Sequence, residues 1–411
     1  MNAKIQKISP LINGKVHLTG SKSISNRLLI LQALSGHKNV LKNLSDSDDT
    51  TVLQKALSAQ DKIIDVGIAG TAMRFLTAYY ALGSSEVILT GASRMKQRPI
   101  KGLVDALSSL GADIEYMENE GFPPIKIKGR KLKGGLLQIK ADVSSQFISA
   151  ILMIAPYFEK GIQLKLIGEI LSRPYIQMTL NLMEKQGVSY HWVEDTISIL
   201  PGNYQNNINQ VESDWSSISY MFELVALSDS GCIQLTQVDE CSIQGDQEGM
   251  RYFDLFGVDS NIEQGVLTLC KRSGFELPKI LELDCLRTPD LAQTLAVTAC
   301  GLGVRMKLTG LKSLPIKETD RLMALKNELE KCGAQVHIIN NEALNIIPGS
   351  KLFNRSFNFE TYGDHRMALC LAPLALKAKS VTINNPMVVN KSYKSYWEDL
   401  KILAFNIELI K

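Results

Sequence analysis

Asp105-Ala-Leu-Ser-Ser-Leu-Gly111-Ala-Asp-Ile114 carries the fold in miniature: an apolar helix-spaced run, a glycine suited to the left-handed residue that ends a helix, then a β-rich segment. Leu182-Met-Glu-Lys-Gln-Gly187-Val-Ser-Tyr190, Asp254-Leu-Phe-Gly257-Val-Asp-Ser260 and Glu330-Lys-Cys-Gly333-Ala-Gln-Val336 have the same form. The four glycines stand 76, 70 and 76 residues apart, which implies an internal repeat of a little over seventy residues. Leu-Thr-Gly also recurs at 18–20, 89–91 and 308–310, each time closing a β-rich stretch. Helix-period and short β-rich segments alternate along the whole chain, which predicts an α/β protein. The first unit differs: helix-like Val52 to Ser58 runs almost directly into Val66-Gly67-Ile68-Ala69-Gly70, without a glycine-capped strand tail.

A chain of 411 residues exceeds what one core serves, so two or three domains are expected. No linker or low-complexity tract divides it, and a short crossing near Val211 to Ser216 is the candidate boundary. Hydrophobic residues make up 45% and charged residues 21%, as in ordinary globular proteins, and a net charge of +3 argues against a polyanion-binding surface. The N-terminus has no apolar signal core, and Phe147 to Phe158 is too short to span a bilayer, so a cytoplasmic protein is expected. Seven cysteines without a CxxC predict reduced buried thiols rather than disulfides. Five histidines without HExxH or H-x-x-x-H spacing predict no bound metal.

The chemistry-bearing residues gather just before apolar helices. Gly20-Ser-Lys22-Ser23-Ile-Ser-Asn-Arg27 opens one such helix with two cations and three hydroxyls, a setting in which free backbone N–H groups and the helix dipole hold an anion. It is not the nucleotide-binding P-loop, because the first glycine that motif needs is Lys15 here. Gly67-Ile68-Ala-Gly70-Thr-Ala-Met-Arg74 offers two glycines for close backbone approach to a ligand. Arg94, Lys96 and Arg98 put three cations in five residues with no carboxylate among them, so an anion or water is needed there. Ser144-Ser145-Gln146 and Ser172-Arg-Pro-Tyr175 each serve as an N-cap or as hydroxyl-rich binding turns. In the second half Asp290 is either a cap or a general base. Lys317-Glu318-Thr-Asp320-Arg321 opens a helix over 322–329, with Lys317 and Arg321 on one face and Glu318 within reach of Arg321. Asp364-His365-Arg366 caps another helix, and Lys391 sits in a polar turn. Convergence of these starts would make a site for a ligand with two or more anionic groups, with acid and base groups beside it.

The ordered motifs GSKSISNR, GIAGTAMR, LTGASRMKQRPI, SSQF, SRPY, KETDR and DHRMA make the chain resemble the enolpyruvyl transferases over nearly its full length, in the branch that acts on shikimate 3-phosphate. The resemblance implies a two-domain α/β fold of repeated βαβαββ units, with one domain over 21–212, the other over 1–20 and 213–411, and the active site in the cleft between them. It implies that the 5-hydroxyl of shikimate 3-phosphate adds to C2 of phosphoenolpyruvate while C3 is protonated. Loss of phosphate from the tetrahedral intermediate then gives 5-enolpyruvylshikimate 3-phosphate, on the route to chorismate and the aromatic amino acids. By the same resemblance Lys22, Ser23, Arg27, Ser144, Ser145, Gln146, Ser172, Tyr175, Asp290, Ser313 and Lys317 bind shikimate 3-phosphate. Lys22, Gly70, Arg98, Gln146, Arg321, Arg366 and Lys391 fall to phosphoenolpyruvate, and His365 is expected among the substrate-binding residues. Asp290 is the expected base, Glu318 the proton relay to C3, and Lys22 and Lys391 stabilise developing charge. No cofactor, metal, nucleic acid or membrane is implied, and a monomer is expected.

Ile68 and Phe75 stand where the family usually has Asn and Pro, and Ser313 where it has Asn. Gly70 leaves space beside phosphoenolpyruvate, so glyphosate is expected to compete with that substrate. The sister transferase acting on UDP-N-acetylglucosamine relies on a cysteine in the loop matching 91–98, and this loop has none. A catalytically dead binding module would be expected to lose Asp290, Glu318 or Lys22, and all three are present.

Overall fold

The computed structural model describes residues 1–37, 39–142, 144–205, 207–349 and 354–410. The chain divides into two compact units, Gly20–Val211 and Met1–Thr19 with Glu212–Lys411.

Five four-stranded sheets share one topology among the described residues. In each βαβαββ unit the first strand pairs parallel with the second, the fourth antiparallel with the second, and the third antiparallel with the fourth. Strands Ile280–Asp284, Arg305–Thr309, Gln335–Ile339 and Ala343–Ile347 illustrate it, with Leu281 opposite Met306, Leu308 opposite Leu344 and Val336 opposite Ile346. The repeat read from glycine spacing is therefore real, and all four glycines have positive φ, between 75° and 102°. A fifth copy was invisible to that reading. There helix Tyr396–Ile402 turns into strand Phe405–Ile410 through Ala404, at φ 66°, where the other units use glycine. Its fourth strand is supplied from the other end of the chain by Asn2–Lys7, which lies between Ser380–Asn384 and Phe405–Ile410. Another unit is also split, because Leu11–His17 pairs parallel with Ser230–Thr236 across the whole of the intervening 20–211. Residues 20–59 contribute the helices Lys22–Ser35 and Asp48–Ser58 and, among the described residues, no strand of their own; Lys42 forms an isolated bridge to Gln210.

Within every unit the first helix is the inner one. Gly70–Ala81 and Ser145–Ile154 are apolar almost all round and pack together with Lys22–Ser35, while Trp215–Leu227, Ala292–Leu302 and His365–Leu371 form the matching trio in the other compact unit. The N-terminal ends of Lys22–Ser35, Gly70–Ala81, Ser145–Ile154, Ala292–Leu302 and His365–Leu371 carry motif residues, so packing the inner helices side by side gathers these into clusters, while SRPY and KETDR open the helices Arg173–Lys185 and Arg321–Lys331.

The inner helices also bury charged-type side chains, among them a carboxyl. Glu223 is wholly buried, and neither carboxyl oxygen meets a donor at hydrogen-bond geometry. Burial pushes its carboxyl well up, and the Thr298 hydroxyl, committed to the Thr294 carbonyl at 2.7 Å, opposes this only in part. An acid whose folded pKa lies above its unfolded value weakens the fold increasingly as pH rises past the unfolded value of about 4.3. Glu223→Gln should therefore raise the urea midpoint at pH 7, with the gain fading toward pH 4; a variant equally or less stable at pH 7 would contradict a protonated Glu223.

The expectation of seven reduced thiols is corrected by the structure. Cys232 and Cys270 lie directly opposite on antiparallel strands with Cα atoms 4.2 Å apart and form a disulfide. Their separation of 38 residues has no local signature, since strand register alone brings them together. Cys285, Cys300, Cys332 and Cys370 are buried free thiols, and Cys241 is an exposed one.

Candidate active site

Each compact unit holds one cluster of the residues singled out from the sequence. In Gly20–Val211, Ser21 caps helix Lys22–Ser35 and Lys22 pairs with Asp49 at 3.5 Å. Ser23 and Ser145 are half-buried at their helix starts, Ser144 caps helix Ser145–Ile154, and Gln146 donates to the Thr71 hydroxyl at 3.2 Å. That last bond joins the starts of two inner helices. Arg27 is deeply committed: its guanidinium donates to Thr179 Oγ1 at 2.7 Å, Ser23 O at 2.9 Å, Ser149 Oγ at 3.1 Å and Tyr175 O at 3.3 Å. Four of its five N–H groups are thereby used to tie helices together. Ser172 takes a left-handed conformation at φ 55°, uncommon for a residue with a Cβ and a mark of functional turns.

Gly20 is demanded by packing, because a Cβ there would lie 1.8 Å from Asn43 O and 2.9 Å from Val211 Cγ1. The loop cations are less needy than their sequence implies, since Lys96 pairs with Glu118 at 2.7 Å. Gly70, by contrast, is a true close-approach glycine: a Cβ would stand 2.5 Å from Nη1 of Arg98. Arg74 fastens the loop by donating to Gly70 O at 3.2 Å and Pro99 O at 3.1 Å.

The second cluster is built around Arg321, whose side chain is 2% exposed. It donates to Asp364 at 2.7 Å, Glu318 at 3.0 Å and Asp290 at 3.1 Å. Asp290 also accepts from Arg366 at 2.7 Å and lies 4.0 Å from Lys317, while Glu318 accepts from Lys391 at 2.6 Å. Lys317 and Glu318 precede the helix Arg321–Lys331, so the loop rather than a shared helical face brings them in. Asp320 is the cap of that helix, accepting from Leu322 N and Met323 N. Asp290 is not a cap; its carboxylate faces cations. Asp364 caps helix His365–Leu371 through Arg366 N, and His365 Nδ1 lies 3.4 Å from its carboxylate. Ser313 is nearly buried just ahead of the turn Leu314–Ile316.

Electrostatics follow the geometry. Burial alone would push the Asp290 carboxyl up, but Arg366, Lys317 and Arg321 outweigh it and hold it well below the usual carboxylate range. Burial lowers Lys317, and it likewise brings Arg27 down to about 10. Among the described residues no group of His, Cys, Asp and Glu could hold a metal ion, and no helix is long and apolar enough to cross a membrane.

The sequence matches the family model for EPSP synthase (3-phosphoshikimate 1-carboxyvinyltransferase) over residues 5–59 and 52–400. A 3-phosphoshikimate 1-carboxyvinyltransferase of Bacteroides fragilis strain YCH46 is 46% identical over 400 residues, covering 97% of each chain. The chain belongs to the EPSP synthase family. A more distant relative of the same name from Aliivibrio salmonicida is 39% identical over 432 residues, covering 97% of this chain and 99% of its own. A solved structure of EPSP synthase from Acinetobacter baumannii superposes with a TM-score of 0.78 over the whole of both chains; at 19% identity that likeness speaks for the fold.

Within an EPSP synthase framework the departures become concrete. Ile68 is 46% exposed in the turn before Gly70, and Phe75 is buried with its ring centroid 5.4 Å from the Arg27 guanidinium. Sequence reading missed Asp49 and Thr71. Asp49 looks like one more acidic residue in the first turn of a helix, and Thr71 like one more small residue, so neither carries a local signal.

Proposed function

We propose that this member of the EPSP synthase family transfers the enolpyruvyl group of phosphoenolpyruvate to the 5-hydroxyl of shikimate 3-phosphate, releasing phosphate. The observation that carries the mechanism is the pair Asp290 and Glu318 set among four cations, Lys317, Arg321, Arg366 and Lys391. An enzyme for two polyanionic substrates needs cations that are preorganised yet exchangeable. Here Asp290 and Glu318 hold Arg366 and Lys391 in place, and an incoming carboxylate or phosphate takes over those contacts.

The exchange also explains how a carboxylate held so low acts as a base. As substrate anions claim Arg366 and Arg321, Asp290 loses its largest stabiliser, Arg366, together with Arg321, and its proton affinity rises toward that needed to accept the 5-hydroxyl proton. Glu318, fixed between Lys391 and Arg321, is the group we assign to protonate C3 of phosphoenolpyruvate. That proton is withdrawn again as phosphate leaves the tetrahedral intermediate. We likewise assign Lys22 and Arg98, as cations, to phosphoenolpyruvate, and Ser23, Ser144, Ser145, Gln146, Ser172 and Tyr175 to hydrogen bonds with shikimate 3-phosphate. Arg27 serves this site both as a remaining donor and as the tie that fixes Ser23 and Tyr175. We place the enzyme in the cytoplasm as a monomer that needs no cofactor.

Phosphate release from phosphoenolpyruvate, measured with shikimate 3-phosphate or UDP-N-acetylglucosamine as acceptor, tests the reading. Turnover is expected with shikimate 3-phosphate alone; turnover with the nucleotide sugar alone would overturn it. A second outcome follows from Gly70. Glyphosate should inhibit competitively with phosphoenolpyruvate, and Gly70→Ala should weaken inhibition at least ten-fold, because the added methyl displaces Arg98 from a 2.5 Å approach. Unchanged inhibition constants would show that Arg98 and Gly70 do not border the inhibitor.

A further inference from the structure

Behind Arg366 lies an acidic residue that neither the motifs nor the mechanism uses. Asp246 sits in the short turn Gly245–Glu248 and is 4% exposed. Its Oδ2 accepts from Ser216 Oγ at 2.5 Å, and its Oδ1 is buried with no hydrogen-bond partner. Ser216 Oγ in turn accepts from Nη2 of Arg366 at 3.4 Å, the same nitrogen that donates to Asp290 at 2.7 Å. The other terminal nitrogen donates to the Tyr220 hydroxyl at 3.2 Å and to Asp290 O at 3.4 Å. A serine hydroxyl has one proton and two lone pairs. With the proton committed to Asp246, a lone pair is left to face Arg366.

We propose that Asp246 is a positioning residue which, by orienting the Ser216 hydroxyl, holds the Arg366 guanidinium in the pose that receives phosphoenolpyruvate. This rests on the assignment of Arg366 to that substrate. Without Asp246 the Ser216 proton is free to rotate toward Arg366, turning an acceptor into a repelling donor dipole and loosening one side of the guanidinium. The other anchor of that nitrogen, the Asp290 carboxylate, is the group that must change partners during the reaction, while the far terminal nitrogen rests on Tyr220 and the Asp290 carbonyl. An anchor independent of Asp290 is therefore what keeps Arg366 in place while Asp290 works as a base.

The arrangement needs an acceptor at Asp246, not a charge. Burial and the neighbouring Asp290 push its carboxyl up to about 7, with Asp214 adding to the rise and Arg366 and the Ser216 hydrogen bond opposing it. Asparagine, whose carbonyl accepts from Ser216 in the same way, is thus a close mimic of a form accessible near neutral pH.

Steady-state kinetics on Asp246→Ala, Asp246→Asn, Ser216→Ala and Arg366→Lys provide the test. Asp246→Ala and Ser216→Ala should each raise KM for phosphoenolpyruvate about five-fold, with KM for shikimate 3-phosphate unchanged. Their combination should add little to either alone, since both cut one link. Asp246→Asn should restore KM to within about two-fold of the parent. If Arg366→Lys raises KM for phosphoenolpyruvate but neither Asp246→Ala nor Ser216→Ala does, the positioning role is wrong and the site assignment stands. If Arg366→Lys leaves that KM unchanged, the site assignment fails and the proposal with it. Equal losses for both substrates, with Asp246→Asn as impaired as Asp246→Ala, would also overturn it. Should Asp246→Ala fail to fold, Ser216→Ala alone reads the same link from its other end.

Discussion

Glu318→Gln should lower kcat by roughly 10²- to 10⁴-fold, the range spanned by removal of a positioned general acid or base. The carboxylate accepts from Lys391 at 2.6 Å on one oxygen and from Arg321 at 3.0 Å on the other. An amide keeps one of these contacts and turns an N–H toward the other cation, so it cannot take up and return the C3 proton. The loss should fall on kcat more than on either KM, because the proton moves only in the chemical steps. Exchange of solvent deuterium into the methylene of phosphoenolpyruvate during turnover should fall in parallel. A variant with kcat within ten-fold of the parent would remove Glu318 from the proton relay.

Arg321→Met should destabilise the protein by about 3–5 kcal/mol, the usual cost of deleting one partner of a buried ionic network. Three carboxylates converge on this guanidinium, and Asp364 among them is completely buried. Removing Arg321 leaves like charges facing each other in a poorly hydrated place. With total stabilities of about 5–15 kcal/mol for a domain, such a loss is a large part of the whole. Lysine should rescue little, since an ammonium cannot fork between Asp364, Glu318 and Asp290. Urea unfolding gives the measurement, and a loss under about 1 kcal/mol would mean that the network relaxes or takes in water. Activity should vanish with the same variants, because the two terminal nitrogens of Arg321 hold Asp290 and Glu318 apart and oriented.

These two residues also mark where reading the sequence succeeds and where it stops. The KETDR run announces a helix start with acid and base groups, and Asp320 does cap the helix as an Asp at that position should. That Arg321 turns toward Asp290, 31 residues earlier, and Asp364, 43 residues later, has no local trace. Cations that look unpartnered in the chain, as in the loop of Lys96 or at Arg366, find carboxylates that only the fold delivers. The family motifs name residues that act; they are silent on Ser216, Tyr220 and Asp246, which stand behind those residues and touch them only in three dimensions.

What the sequence determined by itself is short-range. Helix stops at Gly111, Gly187, Gly257 and Gly333, caps at Ser21, Ser144, Asp320 and Asp364, and the α/β alternation all follow from backbone preferences within a few residues. The period of those glycines was enough to reveal the repeat. Tertiary structure decided the rest. It fits Ala404 into the left-handed position of the fifth unit, draws Asn2–Lys7 between the distant strands Ser380–Asn384 and Phe405–Ile410, bonds Cys232 to Cys270, and makes Gly20 obligatory through Asn43 and Val211. Strand register and close packing set those contacts, and their energy depends on which surfaces meet rather than on which residues are neighbours in the chain.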